Sequence, residues 1–249
     1  MGKPQNIYDD PDFYEGYRSL RENPVNYNLL LEHPALFSLL PDLAGKDVLD
    51  MGCGFGEICA LCTQRGARSV MGIDLSQRML SAAKRENKGF GIQFEQMDMS
   101  NVEKLGQNFD LILSSLAVHY VEDFAALAKS VGKCLRPDGI FLFSQEHPIG
   151  TCHIDETAPY WVYGEDGKAI YHPLNDYGRP GKREITWFVD GVVKYHRTFS
   201  QLVNALTDAG LTIERMEEPL PSPELVAQYP FFEKEYHKPS FLLILARKK

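Results

Sequence analysis

The stretch that most constrains the fold is residues 48–57, VLDMGCGFGE. A short apolar run ends in an acid, Asp50, and predicts a buried strand, whereas the residues from Ile58 onward predict a helix. Three glycines stand between them at alternate positions: Gly52, Gly54 and Gly56. Glycine permits a tight turn and lets a ligand approach the backbone, and the N-terminal amides of the following helix point toward that ligand. We therefore expect a strand–loop–helix unit that binds a small ligand.

A second signal follows at the end of the next apolar run, residues 69–73, which closes with Asp74. An acid at the tip of the second strand is where an open α/β sheet holds a ribose diol by two hydrogen bonds. The dinucleotide-binding pattern G-x-G-x-x-G would need a glycine where Glu57 stands. The spacing argues against a nicotinamide oxidoreductase, and a tight turn without a ligand is the structural alternative.

The glycine loop and the acid that ends strand two resemble those of class I S-adenosylmethionine-dependent methyltransferases. The resemblance covers about the whole chain and is strongest from residue 48 to residue 144. It implies an α/β, Rossmann-like fold: a seven-stranded, mostly parallel sheet with an antiparallel last strand, plus a small antiparallel β insertion after strand five. Residues 146–148 and 196–198, with Glu218-Pro219, are also similar to a bacterial small-molecule branch related to the ubiquinone/menaquinone-biosynthesis methyltransferases.

The resemblance implies that the cofactor is S-adenosyl-L-methionine and the product S-adenosyl-L-homocysteine. Asp98 would accept a hydrogen bond from the adenine amine and Met99 would contact the ring; a helix N-cap is the alternative role for Asp98. The aromatic face around Tyr17 would shield the sulfonium, or simply pack on the sheet. The expected cofactor-binding residues are Tyr17, Gly52, Cys53, Gly54, Gly56, Asp74, Leu75, Met79, Asp98, Met99 and Ser115.

Methyl transfer is an in-line displacement at a methyl group on positive sulfur, and alignment alone can lower the barrier by roughly 7–11 kcal/mol. A general base is needed only where the accepting atom must lose a proton. Our candidates are His147, Glu146 beside it, and then His119; the first two leave the C-terminal end of strand five and the third follows strand four. A structural hydrogen-bonding role is the alternative for each histidine. We expect no metal ligands, and we expect Cys59 and Cys62 to pack in a helix.

The chain is expected to form a single methyltransferase domain, residues 1–249. Its four parts are an N-terminal helical lid (1–44), a cofactor-binding core (45–146), a β insertion that caps the substrate (147–198), and a C-terminal helix with the last two strands (199–249). The insertion is predicted because residues 147–198 far exceed an ordinary connection. Asp190-Gly191 and residues 165–167 are hairpin-turn signals within it. A dimer surface or a rigidifying flap is the alternative role.

Charge and motif content favour a small-molecule acceptor. The chain carries 34 acidic against 26 basic residues, a net charge of −8, which is poorly suited to a phosphate backbone. Methyltransferases that modify base amines typically carry Asp/Asn-Pro-Pro-aromatic after strand four, and residues 114–117 read Ser-Ser-Leu-Ala instead. The alternatives are a nucleic-acid-modifying methyltransferase and a non-catalytic protein that binds the cofactor or its product.

No apolar run of the sequence is long enough to cross a bilayer, and the five cysteines fit a reducing compartment. We therefore expect a cytoplasmic protein without a membrane partner. A homodimer is possible, and the sequence does not decide the oligomeric state.

Overall fold

The computed structural model describes residues 5–154 and 159–249. Its strands are β1 (Asp47–Met51), β2 (Ser69–Asp74), β3 (Gln93–Gln96), β4 (Phe109–Ser114), β5 (Leu135–Glu146), β6 (Val162–Tyr163), β7 (Ala169–Tyr171), β8 (Gly181–Trp187), β9 (Val189–His196), β10 (Leu211–Glu217) and β11 (Phe241–Lys248). Its α-helices are α1 (Pro11–Glu22), α2 (His33–Leu39), α3 (Glu57–Gln64), α4 (Gln77–Glu86), α5 (Phe124–Cys134), α6 (Phe199–Asp208) and α7 (Pro223–Gln228).

A seven-stranded sheet with the order β10-β11-β5-β4-β1-β2-β3 forms the centre of the molecule. Strands β1 to β5 pair in parallel, whereas β11 runs antiparallel to both β5 and β10. The expected sheet with its antiparallel last strand is confirmed. The strand order reverses between β1 and β4, and open α/β sheets bind ligands at the carboxyl ends of the strands beside such a reversal.

Helices cover both faces of this sheet because its strands alternate apolar residues toward each face. In β5, Phe141 and Phe143 pack with the layer of α5 and α6, and Ile140 and Leu142 pack with the layer that holds α2 and α3. Apolar side chains on both faces leave the strand ends as the place where polar groups can meet a ligand.

The N-terminal segment begins as its sequence predicts. The Asp10 carboxylate accepts from the backbone amides of Asp12 and Phe13, and Pro11 occupies the first helical position. His33-Pro34 predicts an interruption of the helical stretch that runs from about Asn26 to Leu40, and this prediction is wrong. A π-helical turn, Asn28–Glu32, runs directly into α2, and the wider turn accommodates a proline that lacks the amide an α-helical ladder would need.

Two hairpins, β6–β7 and β8–β9, follow β5 as the expected antiparallel insertion. The turn at residues 165–167 is confirmed, with the Gly167 amide donating to the Gly164 carbonyl over 3.0 Å. The turn at Asp190-Gly191 is wrong, because the chain reverses at Phe188, whose φ is +61°. Both Asp190 and Gly191 belong to β9, at the point where its pairing with β8 shifts register between Ile185 and Trp187. The Phe188 ring stacks on Trp187 at 5.0 Å, and this packing holds the unusual backbone in place.

In residues 5–154 and 159–249, we find no helix with the length and apolar character that crossing a bilayer requires.

Candidate active site

The carboxyl edge of the parallel strands gathers the polar groups that the sequence placed after each strand. Gly52 follows β1, Asp74 ends β2, Asp98 follows β3, Ser115 follows β4 and Glu146 ends β5. Parallel strands deliver these residues to one edge although they are far apart in the sequence. This edge is the candidate active site.

The glycine loop is pinned to the end of β2 by its own backbone. The amides of Gly52 and Cys53 both donate to the Ile73 carbonyl, over 2.8 and 3.0 Å. Gly52 has a φ of +74°, and a Cβ there would lie 2.5 Å from the Ala117 Cβ. Gly54 has a φ of +51° and nothing within 4 Å of its Cβ position. Gly52 is therefore needed for close packing, whereas Gly54 leaves its backbone open to a ligand.

Asp74 reaches back from β2 to the same loop. Its Oδ2 accepts from the Gly54 amide over 2.9 Å, and its Oδ1 accepts from the Ser76 amide over 2.8 Å. Burial raises the pKa of Asp74 to about 6, although the two amide hydrogen bonds oppose this. The carboxylate retains lone pairs beyond these two bonds, which suits it to accept from a ribose diol.

Two buried carboxyls that the sequence did not mark as site residues lie near this edge, Asp50 beside the glycine loop and Glu32 beside Ser115. The Oε1 of Glu32 accepts from the hydroxyls of Ser115 and Ser144, over 2.9 and 2.5 Å. The Sγ of Cys59 donates to one oxygen of Asp50 over 3.3 Å. Glu32 Oε2 and Asp50 Oδ1 have no hydrogen-bond partner within the described ranges. Burial raises the pKa of each carboxyl to about 7.

These orphaned oxygens fit a cationic ligand. A buried carboxylate oxygen without a partner is costly, and an ammonium supplies the missing donors. Asp50 was visible in the sequence as the acid ending β1, whereas nothing in the helical pattern around Glu32 marks it as functional. The small cavity that Asp50 shares with Gly54 and Ser115 has a volume of about 50 Å³.

Helix α1 covers this cavity with aromatic side chains. The Tyr17 ring stacks on Phe55 of the glycine loop at 6.1 Å and meets Trp187 of the insertion edge-on at 6.0 Å. Arg21 pairs with Glu57 at the start of α3. The aromatic face of α1 therefore bridges the glycine loop and the insertion instead of packing on the sheet.

The other expected cofactor residues surround the loop in different ways. Cys53 is buried, and the Leu75 carbonyl accepts from the Gln96 amide group over 3.0 Å. Asp98 caps the helical turn Met99–Leu105 by accepting from the Ser100 amide, which confirms its alternative role without testing the adenine contact. Met99 approaches the Cβ position of Gly52 within 3.2 Å. Met79 is buried in a cluster with Tyr14 and Phe55, behind the loop.

A larger cavity of about 680 Å³ opens beside the end of β5. Its walls come from β5, the insertion and the C-terminal segment, and include Glu146, His147, Trp161, Lys194, Lys234 and Lys238. The insertion thus contributes directly to a cavity at the active edge. Aromatic and charged side chains share its surface.

Glu146 and His119 interact with each other and with Lys194. Glu146 forms an ion pair with Lys194, whose ammonium lies 4.7 Å from the centre of the Trp187 ring. Burial opposes ionisation of Glu146, but Lys194 and His119 hold its pKa at about 2. Burial lowers the pKa of His119 to about 4. A carboxylate that is paired and ionised this firmly is a weak proton acceptor at neutral pH.

His147 is fully buried, and both of its ring nitrogens are engaged. The Ile149 amide donates to Nδ1 over 3.2 Å, so the ring proton lies on Nε2, which donates to Glu218 over 2.9 Å. Burial lowers the pKa of His147, although Glu218 opposes this. These contacts match the structural alternative that the sequence left open for this histidine.

Lys238 brings a buried ammonium to the larger cavity. The residue is 3% exposed, and its Nζ donates to the Tyr160 hydroxyl over 3.0 Å. Within the described ranges it forms no ion pair with a carboxylate. Burial lowers the pKa of Lys238, whereas the more distant Glu235 and Glu146 raise it. A buried ammonium with one hydrogen-bond acceptor has unused donors that point to an anionic ligand.

The fold and the carboxyl-edge site define an α/β enzyme that binds a nucleoside cofactor, and comparison with known proteins identifies the enzyme family. A family model described as a methyltransferase domain matches residues 48–139. The solved structure of an S-adenosylmethionine-dependent methyltransferase from Mesorhizobium loti is 38% identical, covers 87% of this chain and 97% of its own, and superposes with a TM-score of 0.79.

Two curated relatives extend the comparison. An uncharacterized protein of Haemophilus influenzae is 38% identical over 100% of this chain and 99% of its own length. The ubiquinone biosynthesis O-methyltransferase of Neisseria meningitidis serogroup A is 32% identical over 48% of this chain, which spans 52% of that relative.

The chain belongs to the S-adenosylmethionine-dependent methyltransferases, and S-adenosylmethionine is its cofactor. The family assignment is confirmed, and the oxidoreductase alternative is overturned.

Proposed function

We propose that this methyltransferase methylates a small-molecule acceptor that carries an anionic group, held in the 680 Å³ cavity beside β5. The observation that carries the proposal is the buried Lys238 ammonium, which lacks a carboxylate partner within the described ranges. An acceptor carboxylate or phenolate would supply the missing charge and hydrogen-bond acceptors. The ubiquinone biosynthesis relative, by its name an O-methyltransferase, supports an acceptor that is methylated on oxygen.

The residues around the glycine loop are suited to the parts of the cofactor. Asp74 would accept from the ribose diol, and Asp98 with Met99 would meet the adenine. Asp50 and Glu32 would hold the ammonium of the methionine half through their orphaned oxygens. The bound cofactor supplies an electrophilic methyl group. The chain supplies alignment, an aromatic cover around Tyr17 and exclusion of water.

The contacts of His147, Glu146 and His119 favour positioning over proton abstraction. Both ring nitrogens of His147 form hydrogen bonds within the protein, and Glu146 forms an ion pair with Lys194. The Nδ1 of His119 accepts a hydrogen bond from the Glu146 amide over 3.5 Å. An acceptor that is methylated on a carboxylate needs no enzymatic base, because that oxygen is already deprotonated at neutral pH. The base role proposed for these three residues therefore applies only to acceptors that must lose a proton.

Helices α1 and α2 with the turn between them would act as the lid of a single domain, and the insertion as its substrate cap. A cavity of about 50 Å³ is far too small for the nucleoside cofactor. Cofactor entry therefore requires the Tyr17–Phe55 stack and the Arg21–Glu57 pair to open. A cytoplasmic location is part of the same proposal.

Calorimetric titration with S-adenosylmethionine and with S-adenosylhomocysteine is the first test, and micromolar binding is expected for both. The second is release of S-adenosylhomocysteine with a panel of aromatic and aliphatic acids, each matched to its methyl ester. Binding without turnover on any acid would favour the non-catalytic alternative. Methyl incorporation into bulk transfer or ribosomal RNA would favour the nucleic-acid alternative.

Replacing Lys238 with methionine should raise the KM for an acid acceptor about tenfold, the low end for a hydrogen bond to a charged group because Lys234 remains nearby. The affinity for S-adenosylmethionine should not change. Folding stability should not fall, since the variant removes a buried unpaired charge. Lys168→Met is the matched control, because Lys168 is exposed and pairs with Glu233. Equal KM values for Lys238→Met and the parent would contradict an anionic acceptor group at this site.

A further inference from the structure

Three metal-ligating side chains meet within the insertion, outside the cofactor site. The Sγ of Cys152 and one ring nitrogen each of His153 and His172 all lie within 4.8 Å of one another. Cys152 is buried and the two histidines are half-buried. Cys152 and His153 follow β5, whereas His172 follows β7. Adjacent positions and a distant histidine give no spacing motif, and so the sequence alone does not indicate this cluster.

Hydrogen bonding fixes which nitrogen of His172 faces the cluster. The Nδ1 of His172 lies 2.7 Å from the Tyr160 carbonyl oxygen, which can only accept, so Nδ1 carries the proton. In the neutral ring, Nε2 then presents a lone pair. A ring nitrogen that donates to a backbone carbonyl while the other faces a metal is the arrangement usual for histidine ligands.

Several electron-rich atoms surround this lone pair. The His172 Nε2 lies 3.2 Å from the His153 Nε2 and 3.2 Å from the Ile149 carbonyl oxygen. The Cys152 Sγ lies 2.9 Å from the same oxygen. His153 can donate one proton into this group and Cys152 another, but the contact between His172 Nε2 and the Ile149 oxygen then joins two acceptors. A cation among these atoms would remove that repulsion.

The separation of the two histidine nitrogens also matches tetrahedral coordination. Two nitrogen ligands at about 2.0–2.1 Å from a tetrahedral zinc ion lie roughly 3.3 Å apart, close to the 3.2 Å between the two Nε2 atoms. Thiolate and imidazole are the ligands that zinc prefers, whereas cations that prefer oxygen ligands, such as magnesium, do not favour this set. Arg183 donates to the Cys152 carbonyl over 2.9 Å and so fixes the backbone that carries two of the ligands.

We propose that the Cys152 Sγ, the His153 Nε2 and the His172 Nε2 form a binding site for a zinc-type transition-metal cation. On binding, the Cys152 thiol releases its proton to solvent and the thiolate donates an electron pair to the metal. Three protein ligands leave one coordination position for water or another donor. His153 also lines the 680 Å³ cavity, and the metal therefore lies at the wall of the proposed acceptor site.

The test is metal binding by the full-length, metal-stripped protein, without cofactor or acceptor. Zinc is titrated in competition with a chromophoric chelator, and cobalt(II) is titrated while the thiolate-to-cobalt absorption band is recorded. The parent should bind about one equivalent of either metal and develop that band. Because no methyl transfer is measured, failure of this proposal leaves the proposed acceptor untouched, and the reverse also holds.

Cys152→Ser should abolish the thiolate-to-cobalt band, and His172→Gln should weaken zinc binding by at least about tenfold, in line with the loss of a contact that supports or forms a metal site. Cys134→Ala and His237→Gln are matched controls, because both residues lie outside the cluster. Circular dichroism of each variant establishes that it is folded, and His153→Gln replaces any variant that is not. No binding by the parent, or parental binding by the folded cluster variants, would overturn the metal site.

Discussion

Replacing Asp74 with alanine is expected to weaken binding of S-adenosylmethionine by about 1.5–3 kcal/mol, roughly ten- to 150-fold in Kd, as for the loss of hydrogen bonds to a charged group. Asp74 has two oxygens at the tip of β2, and each already accepts one backbone amide, from Gly54 and from Ser76. The lone pairs that remain would accept from the ribose diol. The measurement is calorimetric titration of the parent and the variant.

Since Asp74 also supports the glycine loop, the variant must be tested for loss of the diol contact itself. S-adenosylhomocysteine and its 2′,3′-dideoxy analogue should differ strongly in affinity for the parent and little for Asp74→Ala. Asp123→Ala is the control, because the Asp123 side chain likewise accepts a backbone amide, that of Ala126 at the start of α5. If the variant binds both ligands as tightly as the parent, the ribose assignment is wrong.

The cofactor-free protein is expected to lose stability as the pH rises from about 4.5 through 7, because Glu32 and Asp50 must then ionise while buried, each with one oxygen that accepts no hydrogen bond in the described part of the chain. Burial raises the pKa of Glu32 from 4.5 to about 7. The folded state therefore binds more protons than the unfolded state in this window. The stability that protonated Glu32 contributes is present in full below pH 4.5 and is lost as the pH rises through about 7. For Glu32 the loss corresponds to about 3 kcal/mol at 1.36 kcal/mol per pH unit.

Glu32→Gln should remove its share of this pH dependence. The amide oxygen can still accept from Ser115 and Ser144, whereas the charge is gone. Urea unfolding should find the variant more stable than the parent at pH 8 and nearly equal at pH 4.5. Glu22→Gln, at an exposed position of α1, is the control. A parental pH profile for the Glu32 variant would contradict ionisation of this buried carboxyl.

The same carboxyls should make cofactor binding depend on pH in the opposite sense. The ammonium and the sulfonium of S-adenosylmethionine pair best with ionised Glu32 and Asp50, so affinity should rise between pH 6 and pH 8. The slope should decrease in Glu32→Gln and in Asp50→Asn. The two charges would then destabilise the free protein and stabilise the complex with the cofactor.

Local patterns were sufficient to predict the glycine loop and the strands on either side of it, and the resemblance to class I methyltransferases predicted the whole sheet with its antiparallel last strand. The apolar runs before Gly52 and Asp74 fixed two strand ends, and parallel strands necessarily bring such ends to one edge. The Asp10 cap marked the start of α1 correctly, because a cap is a contact within a few residues of the chain.

Only the tertiary structure revealed the contacts that join distant segments. Glu32 meets Ser115 and Ser144, Lys194 meets Glu146, and His172 meets His153 because helices and hairpins pack over the same edge. Phe188 replaces Asp190-Gly191 as the reversal point because its ring packs among the aromatics of α1 and β8.

The amino-acid sequence by itself thus determined the class of fold, the cofactor loop and the acid at the tip of β2. The tertiary structure decided which buried charges lack partners and which side chains share a cavity. The physical reason is that periodicity and turn chemistry record whether a residue is buried or turned, whereas the partner that a buried polar group finds depends on how separate elements pack.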